Sequence, residues 1–195
     1  MTAARLLIIG PQGSGKGTQG IRIAEALGIP AVSTGDVFRA NVKEGTELGQ
    51  QVKAIIDAGD LVPDELTSAI VRDRLEEDDA ASGFLLDGYP RNLAQVGDLD
   101  AFLRGRGEEL TAVIELVVPR EESIARLSKR AAEQGRDDDN EESIAKRLSI
   151  YESETAPILE VFRERGIVDQ IDGVGSLDDI TERITAALTA RGITA

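Results

Sequence analysis

The sequence predicts an α/β protein of three layers, a mostly parallel sheet covered by helices on both faces. Three observations carry this. Short apolar runs bounded by breakers recur along the chain, and amphipathic helical patterns lie between them. The first run also passes through a glycine-rich turn straight into the first helical pattern. Such alternation joins neighbouring strands through helical crossovers and buries both faces of the sheet.

Arg5-Leu6-Leu7-Ile8-Ile9 reads as a buried strand closed by Gly10. Gly13, Gly15 and Gly17 follow, and then the helical pattern Ile21, Ile23, Ala24, Leu27, ending at Gly28. A second short strand precedes Ser33. Taken alone, Ser33-Thr34-Gly35-Asp36 opens a helix as an N-cap. Gly59 to Glu65 reads as a turn followed by a capped helix, and the polar stretch Glu76 to Asp79 as a solvated helix end. Phe84-Leu85-Leu86, Val113 to Val118 and Ile167 to Ile171 are the further strands. The longest helical pattern is Ile144, Leu148, Tyr151, Thr155, Leu159, Phe162, whose spacing marks one buried face. Pro157 falls inside it, so a kink is expected near Thr155-Ala156.

The 195 residues, 41% of them hydrophobic, suffice for one sizeable core and predict a single domain, 1–195. No stretch approaches the roughly 20 apolar residues that cross a bilayer, and the first run is too brief for a signal peptide. A cytoplasmic protein without a membrane partner is expected. Acidic residues number 36 against 22 basic ones, a net charge of −14. A nucleic-acid binder usually has the opposite sign, so no such partner is expected. Anionic ligands remain open if basic residues concentrate at one place. The chain has no cysteine and no histidine. Disulfides, thiolate or imidazole metal sites, histidine triads and phosphohistidine carriers are thereby excluded.

Gly10-Pro11-Gln12-Gly13-Ser14-Gly15-Lys16-Gly17-Thr18 sits between the first strand and the first helix. Glycines let backbone N–H groups curl around phosphate oxygens, the helix directs its positive end at the same place, and Lys16 adds a full charge. The general phosphate-loop signature has Ser or Thr directly after the lysine. Here Gly17 intervenes before Thr18, which argues against a GTPase or a motor ATPase. Further along, Leu85-Leu86-Asp87-Gly88-Tyr89-Pro90-Arg91 ends a buried strand in an acid, a tight turn and an arginine. Ligands of open α/β sheets sit beyond the carboxyl ends of strands. Asp87 is placed there to orient Mg²⁺ through water, with Thr18 a second candidate for the metal, and Arg91 to grip a phosphate.

These segments together resemble the adenylate kinases, short-lid members of the nucleoside monophosphate kinase family, over essentially the whole chain. The resemblance implies a P-loop NTPase-like fold with a helical NMP-binding flap at 33–62, a lid at 131–139, and a core of 1–32, 63–130 and 140–195. It implies ATP contacts from Gly13, Ser14, Gly15, Lys16, Gly17 and Thr18, and from Gly175 in the loop Asp172-Gly173-Val174-Gly175-Ser176. On the acceptor side it implies Thr34, Arg39, Leu61, Val62, Gly88, Arg91 and Gln95 around AMP. Gln95 stands where adenine-specific members carry glutamine, whereas UMP/CMP kinases usually carry asparagine and usually lack a threonine equivalent to Thr34. Tyr89 replaces the commoner phenylalanine.

Arg126, Arg130, Arg136 and Arg147 bracket a polar loop. Arg126 and Arg130, four apart, share a helical face. Singly, each reads as an ordinary surface arginine paired with Glu122 or Glu133. As a set in the family's order they imply ATP phosphate contacts from Arg126 and Arg130, and contacts to the transferring group from Arg136 and Arg147. Asp137 adds a negative charge beside Arg136. Catalysis is expected from Lys16, Arg91 and these four arginines, with Mg²⁺ accompanying ATP and no structural zinc. The implied enzyme is a monomer acting on ATP, AMP and ADP. A UMP/CMP kinase of the same fold, or a non-catalytic nucleotide sensor, remains the alternative.

Overall fold

The computed structural model describes residues 3–134 and 140–194. Five strands form one all-parallel sheet: β1 (Ala4–Ile9), β2 (Ala31–Ser33), β3 (Gly83–Asp87), β4 (Ala112–Val117) and β5 (Val168–Asp172), in the order β2-β3-β1-β4-β5. Each predicted strand is present, with ends shifted by a residue or so. Side chains alternate across the sheet as the period of two requires. Leu7, Ile9, Leu86 and Val113 enter one core and Leu6, Ile8, Leu85 and Ile114 the other. The first core is covered by α4 (Asp64–Leu75), α5 (Leu93–Gly105) and α8 (Ile158–Glu164). The second is covered by α1 (Lys16–Leu27) and α9 (Leu177–Ala190). This is the three-layer architecture, and it makes strands such as Leu6-Leu7-Ile8-Ile9 continuously apolar.

Two helical pairs lie apart from these layers, each with a small core of its own. Between β2 and α4, α2 (Thr34–Glu44) and α3 (Glu47–Asp57) enclose Phe38, Val52 and Val62. Between β4 and the π-helical turn Tyr151–Thr155, α6 (Arg120–Gln134) and α7 (Glu141–Ile150) share Leu127, Ile144 and Leu148. No helix among the described residues is long and apolar enough to cross a membrane.

The kink expected at Pro157 takes the form of that π-helical turn. Pro157 has no N–H to give to the carbonyl four residues back, so the ladder must re-pair before it. Ala156 N–H reaches Tyr151 O at 2.7 Å, five residues back. Beyond it α8 starts afresh. Ser33 caps α2 as the sequence suggested, accepting from Asp36 N–H at 3.3 Å. α4 differs from the capped helix expected: its N-cap is Pro63, which has no side-chain oxygen to offer.

The α2–α3 pair is joined tightly. A Cβ at Gly49 would stand 2.1 Å from Asn41 O and 2.6 Å from Val42 N, both backbone atoms. Gly49→Ala is therefore expected to force the two helices apart at a cost of about 1–3 kcal/mol. Calorimetry should show Tm falling by about 2–4 °C per kcal/mol. An unchanged Tm would mean that the pair is not packed in this way.

Candidate active site

The sheet's two halves meet at β1, and the chain leaves its carboxyl end into the glycine loop. Gly13 and Gly15 have φ of 80° and 93°, a region costly for other residues. A Cβ at Gly13 would also stand 2.6 Å from Ser123 O on α6, so the loop is seated against that helix. Gly15 caps α1 without any side-chain hydrogen bond, and the first turn of α1 has no acidic residue. Its leading N–H groups thus have no side-chain cap and no acid of their own turn, an arrangement suited to an anion.

Lys16 lies across the loop, its Nζ donating to Pro11 O at 3.2 Å. Burial pulls its pKa down to about 8, with Asp87 opposing that shift and Arg91, Arg147 and Arg130 adding to it. Burial raises Asp87, against the pull of Lys16 and Arg91. Arg91 is lowered to about 10, first by burial and then by Arg147 and Arg39, with Asp87 opposing. These shifts describe cations crowded around Asp87, with a second acid, Asp36, close enough to add to its upward shift. The local positive concentration required of an acidic protein with an anionic ligand is here.

The cations divide between two clefts. One is lined by Gly13, Gly15, Lys16, Gly17, Thr18, Asp87, Arg126 and Arg130. The other lies under α2 and α3 and is lined by Thr34, Leu61, Val62, Thr67 and Gln95. Arg39, Gly88, Arg91 and Arg147 line both. A group passing from one cleft to the other would pass these arginines.

Around the second cleft the loop after β3 is the organising element. Gly88, with φ 84°, turns its carbonyl toward Thr34 Oγ1 (3.1 Å) and Arg91 Nε (2.8 Å), both donating to it. A Cβ there would meet Thr34 Oγ1 at 2.8 Å. Arg91 N–H donates to Gln95 Oε1 at 2.8 Å, and Arg91 O accepts from Thr155 Oγ1 at 2.7 Å. The π-helical turn before Pro157 thereby braces the loop after β3. Gln95 is 2% exposed and Thr34 3%. The Tyr89 hydroxyl lies 2.8 Å from Ser68 Oγ, which donates to Asp98 at 2.7 Å, so the extra oxygen is accommodated by partners.

The pattern of the Adenylate kinase family matches residues 8–167. The chain belongs to the adenylate kinase family. It is 59% identical over 189 residues to an adenylate kinase of Clavibacter michiganensis subsp. michiganensis, covering 97% of this chain and 94% of that one. Identity is 60% over 188 residues with that of Leifsonia xyli subsp. xyli (96% and 94% covered) and 54% over 187 with that of Thermobifida fusca (96% and 99%). An adenylate kinase phosphotransferase moves a phosphoryl group onto a nucleoside monophosphate.

The adenylate kinase resemblance named residues that the fold distributes unevenly. Lys16, Gly13, Gly15, Gly17, Thr18, Arg126 and Arg130 gather in the first cleft; Thr34, Leu61, Val62 and Gln95 gather in the second. Val62 also packs into the small α2–α3 core. Ser14 is buried and lines neither: its N–H donates to Pro11 O, and its Oγ has no partner among the described residues. Gly175 lines neither cleft; a Cβ there would face Arg183 and Asp179. Arg126 has the helix partner expected of a surface arginine and also reaches a neighbouring loop. Its Nε pairs with Glu122 (2.7 Å), while its NH2 reaches Gly173 O (3.0 Å) in the loop containing Gly175. Arg136 and Asp137, with Gly135, fall outside the described residues.

Three contributors escaped the sequence reading. Asp64 accepts from Gln95 Nε2 and from Asn92 Nδ2, each at 2.8 Å. Asn92 caps α5 by accepting from Gln95 N–H at 2.9 Å. The signal was present, since Asn92 followed three residues later by Gln95 has the form of a capping motif. Gln12 is the third: its Oε1 accepts from Arg147 NH2 at 3.0 Å.

Proposed function

We propose that this enzyme transfers the γ-phosphoryl group of ATP reversibly to AMP, with Mg²⁺, giving two ADP. The observation that carries it is the pair of clefts sharing Arg39, Arg91 and Arg147. The glycine-loop cleft takes ATP by its phosphates. The cleft with Thr34 and Gln95 takes AMP. The adenylate kinase names of the relatives support the choice of acceptor.

In the reaction an AMP phosphate oxygen attacks the γ-phosphorus, that P–O bond forms, and the bond to the β-phosphate oxygen breaks. The attacking group is already an anion, so no strong base is needed, in keeping with a chain that has no histidine. What the protein supplies is alignment and charge. Lys16, the α1 N-terminus, Arg126 and Arg130 hold the donor phosphates, Arg39 and Arg91 hold the acceptor phosphate, and Arg147 with Arg136 neutralises the group in flight. The helical flap 33–62 and the lid 131–139 close over the nucleotides and exclude water.

For the metal, Asp87 and the Thr18 hydroxyl face the same cleft. Oxygen donors of this kind, one carboxylate and one hydroxyl beside phosphates, suit Mg²⁺, which keeps most of its waters and needs no dedicated protein cage. When bound with ATP it would neutralise charge on the phosphate oxygens.

The test is a transfer assay with ATP and Mg²⁺ against AMP, CMP, UMP and GMP. A base that leaves one buried polar group unpaired should lose about 1–3 kcal/mol, or about 5- to 150-fold in kcat/KM relative to AMP. Comparable values with CMP or UMP would make the chain a UMP/CMP kinase. No turnover with any acceptor would leave a nucleotide sensor.

A further inference from the structure

We propose that Asp64 is a positioning residue: it fixes which way round the Gln95 amide faces, and thereby sets the preference for a 6-amino over a 6-oxo purine acceptor. The proposal rests on the reading of Gln95 as the group that meets the acceptor base.

A glutamine amide is nearly symmetric in shape but not in chemistry. One end only accepts and the other only donates. At Gln95 both ends are committed on the protein side. Oε1 accepts from the backbone N–H of Arg91, and Nε2 donates to Asp64 Oδ1, each at 2.8 Å. A backbone N–H cannot accept, and an ionised carboxylate cannot donate. Turning the amide over would set N–H against N–H and oxygen against oxygen in a site that is 2% exposed. The orientation is therefore locked at two points.

Asp64 is suited to the task. It lies in the first turn of α4, where the helix dipole favours a negative charge. Its Oδ1 also accepts from Asn92 Nδ2 at 2.8 Å. Asn92 in turn caps the helix that carries Gln95. The carboxylate thus holds the amide and the helix start beneath it together. Asp64 follows directly on the segment of α2, α3 and Leu61-Val62, so the wall of the cleft and its base-reading group are tied at the point where that segment rejoins the sheet layers.

The locked amide has one N–H and one lone pair left for the cleft. Adenine offers a matching pair, with N1 accepting and the 6-amino group donating. Hypoxanthine has the same shape with both polarities reversed, since N1–H donates and O6 accepts. AMP and IMP therefore differ in the one property that the lock controls. With Asp64 gone, only the Arg91 N–H orders the amide, and the reversed orientation becomes accessible to IMP.

The experiment measures kcat/KM for AMP and for IMP, with ATP and Mg²⁺ saturating, in four proteins. The wild type should prefer AMP. Asp64→Ala should reduce the AMP/IMP ratio by about tenfold, because one charge-assisted hydrogen bond is lost. KM for ATP should stay within about twofold. Asp64→Asn, whose Oδ1 still accepts from Nε2, should keep the ratio within about threefold. Gln95→Leu tests the underlying reading, and should collapse the ratio. If Gln95→Leu leaves the ratio intact, the reading of Gln95 is wrong. If Gln95→Leu collapses it while Asp64→Ala does not, Asp64 has no positioning role. A merely structural Asp64 would weaken AMP and IMP equally and lower Tm with the ratio unchanged, which also overturns the proposal. Asp64→Ser, whose shorter side chain draws the acceptor back from Nε2, replaces the alanine variant if that fails to fold.

Discussion

Lys16→Met is expected to lower kcat by about 10²–10³-fold, the usual cost of removing one electrostatic group aimed at developing charge. Methionine matches lysine in length and in helix propensity, so the start of α1 should form as before. The stability effect should be opposite in sign to the catalytic one. The folded-state pKa of Lys16 is about 8, below its ordinary 10.5, chiefly because of burial. A folded state that binds the proton less tightly than the unfolded chain is destabilised wherever the lysine is charged, which includes pH 7. Removing the charge should leave Tm unchanged or raise it. Steady-state kinetics and a thermal melt on the same preparation check both halves. A folded variant with near-normal kcat would remove Lys16 from the catalytic set. A large fall in Tm would mean that the lysine is held for structure.

The central strands β1, β3 and β4 were legible because they are buried on both sides. Leu6-Leu7-Ile8-Ile9 and Phe84-Leu85-Leu86 have no polar residue to confuse the pattern, Gly28 closes α1 with a φ of 66°, and Gly10 ends β1 where a Cβ would stand 2.9 Å from Leu116 O. The long pattern from Ile144 to Phe162 was also legible as one buried face: Ile144, Leu148, Thr155, Leu159 and Phe162 are all buried. Its register change was not. Periodicity tolerates one extra residue per turn, and only the hydrogen bond from Ala156 to Tyr151 distinguishes a π-helical turn from a simple bend.

The site was legible where chemistry demands rare residues in a fixed order, as at Gly10 to Thr18. It was less so where ordinary polar residues act on one another. Asp64 and Gln95 are 31 positions apart, and nothing local announces that the first holds the second. Asp64 lay inside a stretch read only as a turn followed by a capped helix, and it does stand in the first turn of α4. Arg126 shows the same overlap, since its i,i+4 partner Glu122 and its contact with Gly173 O coexist. A sequence pattern proposes one role per residue, whereas an arginine with five N–H groups fills several.

Arg147→Ala is expected to lower kcat by a comparable factor of about 10²–10³, with KM for either nucleotide changing far less. Arg147 lies on α7 and borders both clefts, so its guanidinium is near the path between donor and acceptor. Its stem packs against Gly59, where a Cβ would meet Arg147 Cγ at 3.2 Å, and its far end bonds Gln12 Oε1 at 3.0 Å. The side chain thus reaches from the edge of the α2–α3 segment to the glycine loop. Two roles fit that span. It is either a brace joining the two clefts or a charge that stabilises the group passing between them. The helix beneath it has anchors of its own: Ser143 Oγ donates to Asp57 O at 2.6 Å, and Lys146 pairs with Asp60 at 2.7 Å. Truncating Arg147 should therefore leave α7 in place while removing the guanidinium and the stem beside Gly59. Gln12→Ala separates the roles, because it breaks the brace and keeps the charge. A brace predicts a loss in Gln12→Ala close to that in Arg147→Ala; a charge predicts kcat within about fivefold of wild type, the weight of a single neutral-acceptor hydrogen bond. Arg147→Lys should recover only part of the rate, since a point charge lacks the planar fork that spans two phosphate oxygens. Full turnover in Arg147→Ala would place the transfer path elsewhere.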